Sequence, residues 1–118
     1  MAKLIILYNL KENVTDEEYK KYCEERKGDL ILGLPSTTRY ACVKILAGLK
    51  GNGNDPKPPE EIETPFKYIG VQDVSSLEAW DKDFTSKTVQ EDFLPEWLSK
   101  YAADYYILMG DEVWSGGK

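Results

Sequence analysis

Hydrophobic and polar residues alternate with two different periods along this chain, and each change of period marks an element. An apolar segment, Lys3–Leu10, alternates with period two and is predicted to be a strand with apolar residues on both faces. From Thr15 the period becomes helical. The apolar stripe of this predicted helix consists of Tyr19, Tyr22, Cys23, Arg26 and Leu30. Gly33-Leu34-Pro35 is expected to end the helix, because proline cannot continue it.

The same order of elements returns in the rest of the chain. Strands are predicted over Thr37–Leu46 and Phe66–Asp73, with a last strand over Ala103–Trp114. A helix begins near Leu77, and a further helical piece comes after it, with Pro95 marking either a kink or a new helix start. Residues 47–65 hold four prolines and three glycines, and are predicted to form a long hairpin loop, either a mobile excursion or a lid.

Two stretches of the chain resemble each other at a spacing of sixty residues. The matched pairs are Tyr8 with Tyr68, Thr15 with Ser75 and Glu18 with Glu78. In both stretches a hydroxyl residue stands three positions before a glutamate, which is typical of a capped helix start. One strand-to-helix unit is therefore predicted to occur twice.

The predicted order is β-α-β and then β-α-β again. It indicates an α+β fold, a ferredoxin-like βαββαβ sandwich with a four-stranded antiparallel sheet, in a single domain spanning residues 1–118. Two helices can cover only one face of such a sheet, whereas these strands carry apolar residues on both faces. We therefore expect a homodimer in which a second copy covers the other face.

Composition removes several classes of function. The 118 residues carry a net charge of −6 and no basic run, so neither nucleic acid nor a membrane is an expected partner. Histidine is absent, which removes the commonest general base and metal ligand. No phosphate-binding loop, metal-spaced carboxylate set or serine triad appears, so no cofactor or metal is predicted. Cys23 and Cys42 are expected to be reduced core thiols, and the chain to be cytoplasmic.

Particular runs of residues resemble a known superfamily. The run Glu17–Cys23, then Leu34-Pro35 and Arg39-Tyr40, resembles the first helix and second strand of the EthD-like branch of the dimeric α/β-barrel proteins. Phe66–Val71 and Leu77–Trp80, with the Phe93/Trp97 helix, are similar to the REDY-like, HapK-type group, which is associated with prodigiosin-like pigment pathways.

The resemblance implies a dimer whose two sheets form a dimeric α/β barrel, with a pocket in each subunit between sheet and helices. Members of the superfamily include cofactor-independent monooxygenases and isomerases. The EthD-like motif usually carries histidine near the end of the first helix, where this chain has Lys27. A role that needs an imidazole therefore does not transfer.

Candidate site residues are those expected to face that pocket. The candidates for proton transfer are Tyr8, Lys27 and Asp29. The candidates for ligand binding are Arg26, Arg39, Tyr68, Trp80, Phe84, Phe93 and Trp97. For the aromatic residues the alternative is an ordinary core, and for Arg26 it is a packed stem with the guanidinium in solvent.

These observations predict a homodimeric protein that binds a hydrophobic or aromatic small molecule as an accessory in a biosynthetic pathway. One alternative is a cofactor-independent monooxygenase or isomerase that acts on such a molecule. Another is a structural or regulatory dimer without a ligand, whose pocket is filled by its own aromatic side chains. Aromatic content favours the first interpretation, and whether any reaction is catalysed stays open at this point.

Overall fold

The computed structural model describes all residues, Met1–Lys118, and its main feature is one four-stranded sheet with helices on one face. The strands are β1 (Ala2–Leu10), β2 (Thr37–Lys44), β3 (Gly48–Lys50), β4 (Glu60–Ile62), β5 (Tyr68–Val74) and β6 (Ala102–Asp111). The α-helices are α1 (Asp16–Tyr22), α2 (Gly28–Leu32), α3 (Leu77–Phe84) and α4 (Leu94–Lys100). Two π-helical turns, Cys23–Lys27 between α1 and α2 and Thr88–Phe93 before α4, complete the helical layer.

The main sheet has the strand order β2-β5-β1-β6, and every neighbouring pair is antiparallel. The predicted α+β fold with a four-stranded antiparallel sheet is confirmed. The two tyrosines matched in the sequence repeat are direct neighbours, because Tyr8 of β1 pairs with Tyr68 of β5. Their rings stack with centroids 5.6 Å apart.

The predicted boundaries differ from the observed ones mainly at the hairpin and at one helix cap. Residues 47–65 contain a short two-stranded hairpin, β3 with β4, instead of being a plain loop. Thr15 caps α1 as predicted, since its Oγ1 accepts a hydrogen bond from the Glu18 backbone N–H at 3.1 Å. The second cap is Ser76 and not Ser75. The backbone N–H of Ser75 instead donates to the carbonyl of Ser36 at 2.9 Å, which holds it in the sheet layer.

The first π turn decides which side chains of the helix are buried. At its end the backbone N–H of Gly28 donates to the carbonyl of Cys23, five residues earlier, so the turn contains one residue more than an α-helical turn. The predicted stripe continued through Arg26 and Leu30, but the extra residue shifts the later part of the helix by one position. Lys27 and Ile31 are buried in consequence, and Arg26 is exposed.

The opposite face of the sheet has no covering layer within the chain. Val43, Tyr106 and Leu108 on this open face are 46%, 62% and 50% exposed. Ile5 and Val71, which pair across β1 and β5, lie at its centre and are half-buried. No helix combines the length and the apolar character needed to cross a membrane.

Gly28 supplies a test of the π turn. A methyl group at this position would meet the carbonyl oxygen of Cys23 at 2.9 Å, a backbone atom that cannot move aside without opening the turn. We expect Gly28→Ala to lower the free energy of unfolding by roughly 1–3 kcal/mol, measured by urea denaturation. In an ordinary helix the same change would raise it by about 1 kcal/mol, and that result would contradict the π turn. Gly53→Ala is the control, since no atom lies within 4 Å of its added methyl group.

Candidate functional site

A cluster of buried aromatic rings fills the space between the sheet and the helices, next to strand β1. Tyr8 extends from β1 and is completely buried. The ring of Tyr19, from α1, meets it edge-on at 5.8 Å, and Trp97, from α4, meets it at 5.2 Å. Edge-to-face contacts of this kind hold each ring in a defined orientation, so their polar atoms are also fixed in position.

Lys27 places its amine at the centre of this cluster, and only 2% of its surface is exposed. Its Nζ donates to the hydroxyl oxygen of Tyr19 at 2.7 Å and to that of Tyr8 at 3.4 Å. No carboxylate forms an ion pair with it. Five aromatic rings surround Nζ with centroids 4.9 to 6.0 Å away, those of Tyr8, Tyr19, Tyr40, Phe93 and Trp97. The π faces of these rings offset part of the loss of hydration that a buried ammonium suffers.

The hydroxyl groups around Lys27 form a continuous chain of hydrogen bonds. Trp97 Nε1 donates to the Tyr19 hydroxyl at 3.0 Å, and that hydroxyl donates to Tyr8 at 2.8 Å. The Tyr8 hydroxyl donates in turn to Cys42 Sγ at 3.7 Å. Each polar atom of this hydrogen-bond chain thus has a partner without any external ligand.

Burial sets the protonation state of these groups. It lowers the pKa of the Lys27 amine, while the neighbouring thiols of Cys42 and Cys23 act in the opposite direction. Burial has the opposite effect on acidic groups. It raises the pKa of both Tyr8 and Tyr19 far above the usual range, so both phenols stay protonated. The site therefore combines an amine that gives up its proton more easily than an exposed lysine with two phenols that stay neutral.

A cavity of about 50 Å³ adjoins this network. Fourteen residues line it, and twelve of them are hydrophobic. The two others are Lys27 and Gln72, whose Nε2 donates to Thr37 Oγ1 at 2.8 Å so that the amide is held in place. Since a buried water needs roughly 10–15 Å³, the cavity has room for a small apolar group or a few waters.

Comparison with known proteins identifies the family. The model of the REDY-like protein HapK family matches residues 2–113. The chain belongs to the REDY-like HapK family. No curated protein matches its sequence. The resemblance expected from the sequence is confirmed.

Solved structures share the fold of this HapK-family chain at low identity. The crystal structure of HapK from Hahella chejuensis is 15% identical, with all of this chain and 98% of that chain covered and a TM-score of 0.72. An EthD family protein from Bacillus halodurans is 14% identical, with coverages of 96% and 99% and a TM-score of 0.62. A dimeric ferredoxin-like protein of unknown function from Thermobifida fusca is 14% identical, with coverages of 92% and 88% and a TM-score of 0.62. At these identities the likeness shows the fold and nothing about activity.

The structure brings most of the predicted aromatic residues of this HapK-family chain together. The predicted residues that line the cavity are Lys27, Trp80, Phe84, Phe93 and Trp97. Tyr8 does not line the cavity, but its hydroxyl accepts a hydrogen bond from Lys27 Nζ. Tyr68 lies on the far side of Tyr8, where its hydroxyl donates to Asp16 Oδ1.

Three predicted residues lie outside both the cavity and the aromatic cluster beside it. Arg26 projects from the helix surface and pairs with Glu96 at 2.5 Å, because the π turn moves it off the inner face. Asp29 is exposed to solvent, two residues beyond Lys27. Arg39 is exposed and its neighbour Tyr40 lines the cavity, so alternation along β2 turns Arg39 toward the opposite face of the sheet.

Tyr19, Tyr40 and Gln72 are members of the site that the sequence analysis did not select. Tyr40 and Gln72 pair with each other across β2 and β5, so the strand register reveals them together. Tyr40 and Gln72 could have been selected from the sequence because each is a polar residue on the inward face of a predicted strand. The structure contains no group of three or more His, Cys, Asp or Glu side chains placed to hold a metal ion.

Replacing Lys27 tests whether the amine stabilises the fold. In Lys27→Met the Tyr19 hydroxyl would still accept from Trp97 and donate to Tyr8, so no hydroxyl of the hydrogen-bond chain would lose its last partner. We expect the free energy of unfolding to fall by no more than about 2 kcal/mol, because the lost hydrogen bonds to Tyr8, Tyr19 and Cys42 are offset by no longer burying an ammonium. Urea denaturation at neutral pH measures it.

Lys20→Met is the matched control for this change, because Lys20 lies on the same helix with 79% of its side chain exposed. It should change the free energy of unfolding by no more than about 0.5 kcal/mol. A loss of more than about 2 kcal/mol in Lys27→Met would instead make the amine a structural part of the core.

Proposed function

We propose that this protein is a homodimer that binds a hydrophobic or aromatic small molecule in the cavity between sheet and helices of each subunit. One observation carries the proposal, the buried Lys27 amine at the wall of an apolar cavity with no carboxylate beside it. Apolar walls with a few placed polar groups are the usual composition of small-molecule sites. Burying an amine opposes folding even where hydroxyl and thiol groups surround it, so the presence of Lys27 at the cavity wall points to a ligand that uses it.

The chemistry of the cavity specifies the kind of ligand. Rings from Trp80, Phe84 and Phe93 offer flat apolar contacts, and Lys27 offers a donor to a carbonyl, phenol or carboxylate oxygen. We infer a planar, mostly apolar molecule with one oxygen directed at Lys27. A ligand of drug size would need roughly 300 Å³ or more. Trp80 and Phe84, which are only half-buried, are the side chains that would move to admit it.

The open face of the sheet supports the homodimer. Apolar residues cover that face across all four strands, and several are about half exposed. Exposed apolar surface of this extent is typical of a protein interface. The structural neighbour from Thermobifida fusca is described as dimeric and has the same fold. The proposal is therefore that two sheets pack face to face as a barrel with the helices outside.

We place the protein in the cytoplasm, as an accessory in a biosynthetic pathway, without nucleic acid as a partner. Two free cysteines suit a reducing compartment, and a net charge of −6 would repel phosphate backbones.

Catalysis is the second candidate, and the hydrogen-bond chain from Lys27 through Tyr19 to Tyr8 favours it. With its pKa lowered by burial, the Lys27 amine could accept a proton from a ligand carbon or hydroxyl. The phenols would then hold the resulting ammonium by hydrogen bonds. This is the proton transfer that a cofactor-independent isomerase or monooxygenase needs. Asp29, Arg26 and Arg39 take no part in it, since they lie outside the cavity.

Ligand binding can be tested by filling the cavity. Ile31 lines the cavity, whereas its neighbour Leu32 is 53% exposed on the outside of the same helix. We expect acetophenone, a single ring with one carbonyl oxygen, to shift the amide NMR signals of cavity residues in the native protein and in Leu32→Phe. Ile31→Phe should weaken the affinity at least about tenfold, because the new ring occupies the ligand's space.

Two further probes, indole and toluene, separate the ligand-binding proposal from its alternative. Toluene lacks the oxygen that Lys27 would recognise and should bind more weakly than acetophenone. If none of the three probes shifts a cavity residue, the ligand-free structural dimer is the better description.

The dimer can be tested at the centre of the open face. Val71 pairs with Ile5 on one side and Ala41 on the other, so a charge there would have to be buried in a dimer but would stay hydrated in a monomer. Native mass spectrometry should give 2 × 13.5 = 27 kDa for the natural chain. Val71→Asp should give the single-chain mass with its fold retained by circular dichroism, and Leu32→Asp should remain dimeric. A natural chain that stays monomeric would contradict the proposal.

A further inference from the structure

Cys42 occupies an unusual position for a cysteine, because several hydrogen-bond donors converge on its sulfur. The Tyr40 hydroxyl lies 3.0 Å from Cys42 Sγ. Lys27 Nζ donates to the same sulfur at 3.6 Å, and the Tyr8 hydroxyl donates to it at 3.7 Å. An ordinary core thiol packs against carbon atoms and needs none of these partners. A thiolate, which is an acceptor with a full negative charge, is stabilised by all of them.

A second cysteine and an opening to solvent lie on the other side of this sulfur. Cys23 and Cys42 both line a cleft of about 340 Å³ between the first helix and the edge of the sheet. Both residues are partly exposed and both line the cleft, so a small molecule that enters the cleft from solvent meets them. This cleft is separate from the apolar cavity, with which it shares no lining residue.

The surroundings of the two cysteines shift their pKa values in opposite directions. The Cys23 thiol, together with the positive charge of Lys27 and the phenols, lowers the pKa of Cys42 to about 5 although burial opposes this. The Cys42 sulfur and burial together raise the pKa of Cys23 well above its ordinary value. The titratable and charged groups that surround Cys42 or line the cleft are Tyr8, Asp16, Tyr19, Lys20, Cys23, Glu24, Lys27, Tyr40, Lys44 and Tyr68. These opposite shifts favour the thiolate at Cys42 and the thiol at Cys23.

We propose that Cys42 is a nucleophile for hydrogen peroxide and small organic hydroperoxides, and that Cys23 resolves the oxidised sulfur as a reversible intramolecular disulfide. The geometry that carries this is a sulfur with three hydrogen-bond donors around it and a second thiol that lines the same open cleft. Accessible thiolates with an adjacent resolving cysteine are the residues that peroxides oxidise selectively. The two cysteines, expected from the sequence to be inert, become a redox pair.

The reaction balances with the peroxide as the named oxidant. The Cys42 thiolate attacks one peroxide oxygen, so that an S–O bond forms and the O–O bond breaks. The departing oxygen takes a proton from solvent and leaves as water or an alcohol, and Cys42 becomes a sulfenic acid. Cys23 then attacks this sulfur, and an S–S bond forms as the S–O bond breaks. Hydroxide leaves with the Cys23 proton as water, and two thiols have reduced one peroxide.

Mass spectrometry of the intact chain tests the first step and the second step separately. A stoichiometric amount of hydrogen peroxide should remove two hydrogens from the native protein, and dithiothreitol should restore them. Cys23→Ser should stop at the sulfenic acid, which dimedone labels at Cys42. Cys42→Ser should show neither change at the same dose. No loss of hydrogens in the native chain, or a disulfide that joins two chains instead of Cys23 and Cys42, would overturn the proposal.

The rate of alkylation by iodoacetamide tests the donors around Cys42. Because its thiolate forms above about pH 5, the rate at Cys42 should be nearly constant from pH 6 to pH 8. Tyr40→Phe keeps the ring and removes one donor, and Lys27→Met removes the charge. In either variant, a Cys42 pKa raised to about 7 would leave only about a tenth of the sulfur as thiolate at pH 6, so the reaction should slow about tenfold. Lys20→Met, which alters the same cleft but no donor to Cys42, is the control and should react like the native chain.

A Cys42 rate that climbs steadily up to the ordinary thiol pKa of 9.0 in the native protein would overturn the proposal. So would equal rates in the native, Tyr40→Phe and Lys27→Met proteins, since the donors would then have no effect on the sulfur. Neither outcome depends on whether the apolar cavity binds a ligand.

Discussion

The interior of this protein is organised around the burial of one amine. An ammonium taken out of water without a carboxylate beside it is among the least favourable groups in a protein core. Here the loss of hydration is offset by hydrogen bonds to Tyr19 and Tyr8 and by five surrounding aromatic rings. The aromatic cluster thus has two roles at once, since it forms the hydrophobic core and also provides the electron-rich environment that the amine needs.

A local irregularity of the backbone makes this burial possible. The π turn over Cys23–Lys27 adds one residue to the helix and brings Lys27 to the inner face. The turn also favours glycine at position 28, because an added Cβ there would meet the Cys23 carbonyl oxygen. Turns of this kind are frequently found at functional sites. The same turn holds Cys23, so the helix irregularity positions both the amine and one of the two thiols.

Lys27 also connects two separate regions of the molecule. On one side it lines an apolar cavity, and on the other side it is within hydrogen-bond distance of Cys42, which faces a solvent-open cleft. A change in the charge of the sulfur therefore changes the electrostatic environment of the amine, and the reverse also holds. Ligand binding at the cavity and oxidation at the cleft would be coupled through this single group, because the two sites share its charge although they share no lining residue.

Periodicity was sufficient to predict the order of the main helices and of the four strands of the antiparallel sheet, since these depend on which faces of each strand and helix are apolar. The aromatic lining of Trp80, Phe84, Phe93 and Trp97 was also accessible from helical spacing. Only the tertiary structure decided that Lys27 and not Arg26 faces inward, because a π turn depends on packing and leaves no mark in a pattern read with a period of 3.6. Only the tertiary structure could place Cys42 beside Lys27 and Cys23, since contacts between a helix and a strand far apart in sequence depend on sheet register and not on local spacing.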